Sequence, residues 1–194
     1  RMRPVSRSGR VIFVGSTSVY GQTDGSWVTE KSPTLPDRET GRILLEAEQI
    51  ALDSGGSIAR LSGIYGPGRS VLLKKFLSGE ALLEEGGHRW INQIHRDDAA
   101  AALARLADPD VAAGIYNVTD DTPATQRQVY EWMAGFLGKP LPPEGSADLN
   151  RKRGWTSKRL SNALMRTTGW APVYPSYRDA LPRLLSAIQP DSSE

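Results

Sequence analysis

Three hydroxyl residues, Ser16, Thr17 and Ser18, follow Gly15 directly after the apolar run Val11, Ile12, Phe13 and Val14. A run apolar at every position predicts a strand inside a parallel sheet covered on both faces. Small hydroxyls at the carboxyl end of such a strand stand where open α/β sheets bind ligands. The chemistry open to them is hydrogen bonding to a substrate oxygen; closing a turn by bonding nearby backbone is the alternative.

The elements that must position this loop alternate along the chain. Residues 10–15 read as the first strand, and 22–36, polar and carrying Gly25, Pro33 and Pro36, as a surface excursion. A helix begins near residues 37–40, with Ile43, Leu44, Ala47, Ile50 and Ala51 at helical spacing, and stops at Gly55 and Gly56. Residues 57–61 form a second strand. Gly63, Gly66, Pro67 and Gly68 make a tight loop before a helix around 71–77, and 91–95 is a short strand or extended loop. Asp97 or Asp98 is expected to cap an alanine-rich helix to Leu106, and 114–118 is a third strand. Thr125 with Gln128 makes a capping box before the apolar face of Val129, Trp132, Met133, Phe136 and Leu137. Residues 139–146 are a proline-rich linker and 161–168 a short helix. Ser176 and Asp179 open a last helix that Pro182 should bend.

Such alternation predicts a parallel sheet with right-handed crossovers. Three strands alone would leave two unpaired edges, so further strands are expected beyond those this sequence supplies, with the edge of residues 11–14 covered.

Composition narrows the chemistry. With 39% hydrophobic and 24% charged residues, the 194-residue chain has an ordinary soluble balance, and a net charge of +2 is too small to argue for nucleic acid. Arg151, Lys152, Arg153, Lys158 and Arg159 form a cationic run without an acid, read as a solvated face or an anion site. No cysteine is present, which removes disulfides and thiol chemistry, and two histidines argue against an imidazole metal site. No apolar run reaches membrane-spanning length and residues 1–9 carry no apolar signal core. A cytoplasmic protein without membrane or nucleic-acid partners is expected.

Several segments in register, PDRETGRILLEAE (36–48), IARLSGIYGPGR (58–69), INQIHRDDAAAALA (91–104), GIYNVTDD (114–121) and KRLSNALMRTTGW (158–170), resemble the extended short-chain dehydrogenases/reductases. That family includes the NAD(P)-dependent epimerases and dehydratases of nucleotide sugars, and the resemblance runs from Arg10 to about Leu185. It implies an α/β fold: the C-terminal part of a doubly wound, parallel-sheet NAD(P)-binding Rossmann domain (residues 10–138, with 64–87 contributing to a substrate cleft) and a small, mostly helical substrate-side region (139–190).

The resemblance also implies roles. Ser16 takes the catalytic Ser/Thr position, bonding the reacting oxygen. Gly15, Ser62, Gly63 and Ile64 fall where cofactor is approached, the last three near the nicotinamide carboxamide. Arg69, Asn92 and His95 line the substrate cleft. Arg69 offers a planar fork to an anion or pairs with a surface acid; His95 exchanges protons near neutrality or bonds backbone. The catalytic Tyr and Lys positions hold Thr40 and Leu44. An aliphatic hydroxyl is far too weak an acid to replace a phenol of pKa near ~10, and Leu44 brings no charge. Thr40 capping the helix while Leu44 packs inside is the structural alternative. The expected function is epimerase/dehydratase-like, on a sugar nucleotide or similar polar small molecule; a non-enzymatic dinucleotide-responsive or scaffold protein is the rival.

No glycine-rich strand–helix turn of the kind that takes a pyrophosphate is present. Gly63, Gly66 and Gly68 have the wrong spacing, and Pro67 removes an amide. NAD or NADP is therefore expected in the complete protein and none on this chain alone, with a homo-oligomer or a preceding N-terminal segment as the partner of the open edge.

Overall fold

The computed structural model describes residues 9–148 and 155–186. In chain order the elements are β1 (Ile12–Ser16), β2 (Trp27–Val28), α1 (Glu39–Asp53), β3 (Ser57–Leu61), β4 (Gly63–Tyr65), α2 (Val71–Ser78), β5 (Leu83–Glu84) and β6 (Trp90–Ile91). There follow β7 (Gln93–His95), α3 (Arg96–Ala107), β8 (Ile115–Val118), β9 (Ala124–Thr125), α4 (Gln126–Leu137), β10 (Glu144–Gly145), β11 (Arg159–Leu160), α5 (Ala163–Thr167) and α6 (Tyr177–Ser186).

The main sheet is parallel with order β1-β3-β8; Ser16 pairs with Leu61, and Leu61 with Val118. All five residues of β3 are buried, as a strand flanked on both sides requires. β1 is an edge among the described residues, and Val11 and Val14 are half exposed.

Three cores hold the elements. Ala59, Leu61, Tyr116 and Val118 of the sheet pack with Ala99, Ala102 and Leu106 of α3 and with Met165 of α5. A second core joins Leu73 and Phe76 of α2, Val129, Tyr130 and Met133 of α4, and Ala180, Leu181 and Leu184 of α6. A third and smaller one, Val19, Tyr20, Val28 and Leu160, is supported by Leu44 and Leu45 of α1.

Helix ends follow local chemistry. The Thr125–Gln128 capping box forms as expected, and α4 ends on Gly138 in the left-handed conformation. The expected cap of α3 is different: His95, not Asp97 or Asp98, is the N-cap, its Nδ1 accepting the Asp97 amide at 3.3 Å. Asp98 is freed to turn inward, where its carboxylate accepts the backbone N–H groups of Val173 (2.8 Å) and Tyr174 (3.0 Å). Thr40 caps nothing either. Arg38 occupies the N-cap of α1 without a side-chain capping hydrogen bond, and Thr40 is exposed in the first turn.

Among the described residues no helix is long and apolar enough to cross a membrane.

Candidate functional site

β1 and β3 run side by side and end together, so the Ser16 turn and the Ser62 loop share one end of the sheet. β1 leads into a 3-10 turn, Thr17–Val19, in which the Ser16 hydroxyl accepts the Ser18 amide at 3.2 Å. With its oxygen engaged as acceptor, the half-buried Ser16 hydroxyl retains its proton as a donor. The turn is held from below: Thr17 Oγ1 donates to the Leu61 carbonyl at 3.4 Å.

Tyr20, fully buried, ties the turn to a charged network. Arg60 donates to Glu48 through Nε (3.0 and 3.2 Å) and Nη2 (2.6 Å), and through Nη1 to the Tyr20 hydroxyl at 2.7 Å. Tyr20 in turn donates to Asn117 Oδ1 at 2.9 Å. Burial pushes the Tyr20 phenol above its usual value, against the pull of the Arg60 charge. A β-carbon on Gly15 would lie 3.1 Å from Glu48 Oε1, so the network packs directly beneath the strand that carries Ser16.

At the end of β3 the Ser62 amide donates to Val118 O (3.1 Å) and the Gly63 amide to Asn92 O (3.1 Å). The Ser62 hydroxyl is buried and has no hydrogen-bond partner among the described residues. Ile64 is half-buried in β4, paired with Ile94 of β7.

The three residues expected to line a substrate cleft are placed differently from one another. Arg69 is exposed on a tight turn closed by two bonds with Gly66 (2.8 and 2.9 Å), and it borders a groove of about 770 Å³ with Ser70, Lys74, Leu77 and Leu184. Gly66, at φ +156°, is pressed against the Arg96 side chain, which a β-carbon would approach to 2.9 Å.

Asn92 has its amide committed: Nδ2 donates to the Lys158 carbonyl (2.9 Å) and Oδ1 accepts the Leu160 amide (2.8 Å), so it pegs β11 in place. His95 is 2% exposed, between the rings of Tyr65 (5.4 Å) and Tyr174 (4.2 Å). Burial pushes its imidazole below the ordinary value, against the opposing charges of Asp97 and Asp98. The site thus joins Ser16, Ser62, Gly63 and Asn92 at one end of the sheet, with Arg69 on the groove and His95 in the interior.

Thr40 and Leu44 lie one turn apart on α1, Thr40 exposed and Leu44 packed against the core that contains Val19 and Tyr20. Among the described residues no group of three His, Cys, Asp or Glu side chains could hold a metal ion.

One group escaped the sequence reading, and another was placed there only as one member of a cationic run. Asp120, just past β8, is buried; its carboxyl is held well above the usual range by burial and by Asp121, Asp98 and Asp179, although the Thr122 amide bonds it. Lys158 is 5% exposed, which corrects the solvated-face reading for that member of the cationic run. Arg159 is half-buried, and Arg151, Lys152 and Arg153 lie outside the described residues. The SKR sequence at 157–159 carried no local sign of burial.

No protein-family model matches the chain. It is 32% identical over 173 residues to Protein YeeZ of Escherichia coli K12, covering 87% of this chain and 60% of that protein. It is 34% identical over 160 residues to a 3-diazoavenalumate denitrifying reductase of Streptomyces, covering 74% of this chain and 52% of the relative. A solved structure from Methylobacillus flagellatus, described as an NAD-dependent epimerase/dehydratase, superposes with a TM-score of 0.78 at 34% identity, covering 93% of this chain and 64% of that one. Solved structures at lower identity include complexes with UDP-glucose and NAD and with NADPH; that likeness shows the fold alone. The chain spans about 60% of the length of the first curated relatives it matches.

Proposed function

Because this chain belongs to the extended short-chain dehydrogenase/reductase family, we propose that it contributes the substrate-side half of an NAD(P)-dependent oxidoreductase site of the epimerase/dehydratase type. The observation that carries the reading is the convergence of Ser16 and Ser62 at the carboxyl ends of two adjacent parallel strands, the ligand-binding end of an open α/β sheet. In this reading the Ser16 hydroxyl donates to the oxygen of a polar substrate. It accepts the Ser18 amide through one lone pair and keeps its proton free to donate.

The unpartnered Ser62 hydroxyl fits the carboxamide of a nicotinamide, with Gly15 on the adjacent strand and Gly63 and Ile64 completing the loop. A bound dinucleotide would supply the hydride. The glycine-rich turn before α2 has the wrong spacing for its pyrophosphate, and Pro67 removes an amide there. Arg69 faces the substrate from the groove. Asn92 and His95 act at one remove, Asn92 by fixing β11 and His95 by starting α3.

With Thr40 and Leu44 in place of a phenol and an ammonium, stabilisation of the substrate oxygen falls to hydrogen bonds such as that from Ser16. The same pair favours the rival reading, a protein that binds dinucleotide without turnover. One experiment separates the two. The protein expressed from its whole gene is titrated with NADH and NADPH, then assayed for deuteride transfer from the 4-deuterated cofactors to a panel of sugar nucleotides and keto compounds. Transfer that drops about 10²-fold or more in Ser16→Ala supports the oxidoreductase reading. Saturable binding without transfer supports the rival, and no dinucleotide binding overturns both.

A further inference from the structure

Lys158 is a buried cation of the site, 5% exposed. Its ammonium donates to the carbonyl of Tyr20 (2.8 Å) and to Thr156 Oγ1 (3.0 Å), both neutral acceptors. No carboxylate pairs with it among the described residues, and the charge it feels is that of another cation, Arg89. A buried ammonium is costly unless it is paired, and two bonds leave its third N–H available.

The position of this charge is well defined. Tyr20 closes the turn that begins at Ser16, and the Lys158 carbonyl is fixed by Asn92, whose own carbonyl takes the Gly63 amide. The ammonium is therefore tied to the Ser16 turn, and its backbone to the loop after Ser62. Its sequence neighbour Arg159 is stacked between the indoles of Trp27 (5.2 Å) and Trp90 (4.9 Å), and Arg89 lies over Trp155 at 5.3 Å. Three cations from two segments thus lie close to one another, interleaved with aromatic rings.

We propose that Lys158 is the specificity-determining cation of this site, receiving an oxyanion (a carboxylate or phosphate) of the substrate that enters beside the Ser16 turn. This deepens the preceding reading and rests on it: the substrate of the oxidoreductase is an anionic compound whose charge is met by Lys158 with Arg89 and Arg159 beside it. The environment agrees, because burial and Arg89 lower the Lys158 pKa to about 8, and an arriving anion would raise it again by favouring the charged form.

The test uses the whole-gene protein and three probes: 4-hydroxycinnamate as a planar carboxylate, UDP as a phosphate, and NADPH. Binding is read from tryptophan emission, with Trp27, Trp90 and Trp155 as local reporters, and the Lys158 ammonium is followed by NMR of 15Nζ-labelled lysine. One or both oxyanions should bind saturably, raise the Lys158 pKa, and lose about 10-fold or more affinity in Lys158→Met. Lys158→Arg should retain most of the affinity, and NADPH affinity should not change in either variant. Which oxyanion binds identifies the substrate's charged group.

An unmoved Lys158 pKa on saturation, or equal affinity in Lys158→Met with its fold intact by circular dichroism, would overturn the proposal. So would binding of neither oxyanion, or simple competition of NADPH with the oxyanion. Failure of NADPH itself to bind would instead overturn the oxidoreductase reading, with the oxyanion result standing apart.

Discussion

Glu48→Ala is the sharpest single perturbation of the platform beneath Ser16. Glu48 and Arg60 are 2% and 3% exposed, and three bonds join them, the shortest at 2.6 Å. Removing the carboxylate strands a guanidinium in the interior, with Tyr20 as its remaining partner among the described residues. Truncating one member of a buried pair costs about 3–5 kcal/mol, which in a domain of this size lowers Tm by roughly 6–20 °C. Tyr20→Phe should cost less, about 1–3 kcal/mol, since it leaves one Arg60 nitrogen and the Asn117 carbonyl oxygen without their neutral partner.

The double variant Glu48→Leu with Arg60→Met removes both charges and keeps similar volume, so it should recover most of the loss. Urea unfolding followed by circular dichroism measures all four proteins. A loss below about 1 kcal/mol in Glu48→Ala, or a double variant no better than the single, would show that these residues do not act as a buried unit.

Lys158 links stability to pH with a defined sign. Its folded pKa, about 8, lies below the ordinary lysine value, so between those values the unfolded chain holds more protons and stability rises with pH. The difference in ΔG between wild type and Lys158→Met should shift in favour of wild type by about 3 kcal/mol from pH 7 to 11, read by urea titration at each pH. Gly21→Ala would drive a β-carbon into the Leu35 carbonyl oxygen, forcing two backbone segments apart; a loss of about 1–3 kcal/mol is expected in thermal melts. Thr125→Ala breaks the capping box of α4 and should cost about 1 kcal/mol by the same assay.

The sequence carried the long elements because their signals are local. The spacing of Leu44, Ala47 and Ala51 marks α1, the Thr125–Gln128 pair marks the start of α4, and the run through Ala59 and Leu61 marks β3. Two-residue strands such as β2, β6 and β11 are too short to show any period. Local pattern falls short where a distant partner decides a side chain's contacts. Nothing in the spacing around Asn92 shows that Lys158 and Leu160, 66 and 68 positions away, take both ends of its amide. Asp98 looks like a cap until the amides of Val173 and Tyr174 claim it. Lys158 reads as surface because its neighbours in sequence are charged, whereas Tyr20, 138 positions earlier, determines its burial.

The Ser16 turn shows how such long-range pieces combine. Its hydroxyl geometry comes from residues 16–18, and its support from the apolar packing of Leu44 against the core of Val19 and Tyr20. Tyr20 then joins two environments of opposite character. Its phenol is bound into the Glu48–Arg60 network, while its carbonyl receives the Lys158 ammonium. A change at Leu44 to a charged residue would put that charge beside an apolar core, so the proton chemistry of a Tyr/Lys pair cannot be introduced on α1 without loosening the turn that holds Ser16. The Lys158 ammonium instead reaches the turn from the residue just before β11, held by the Tyr20 carbonyl and the Thr156 hydroxyl rather than by a helix face.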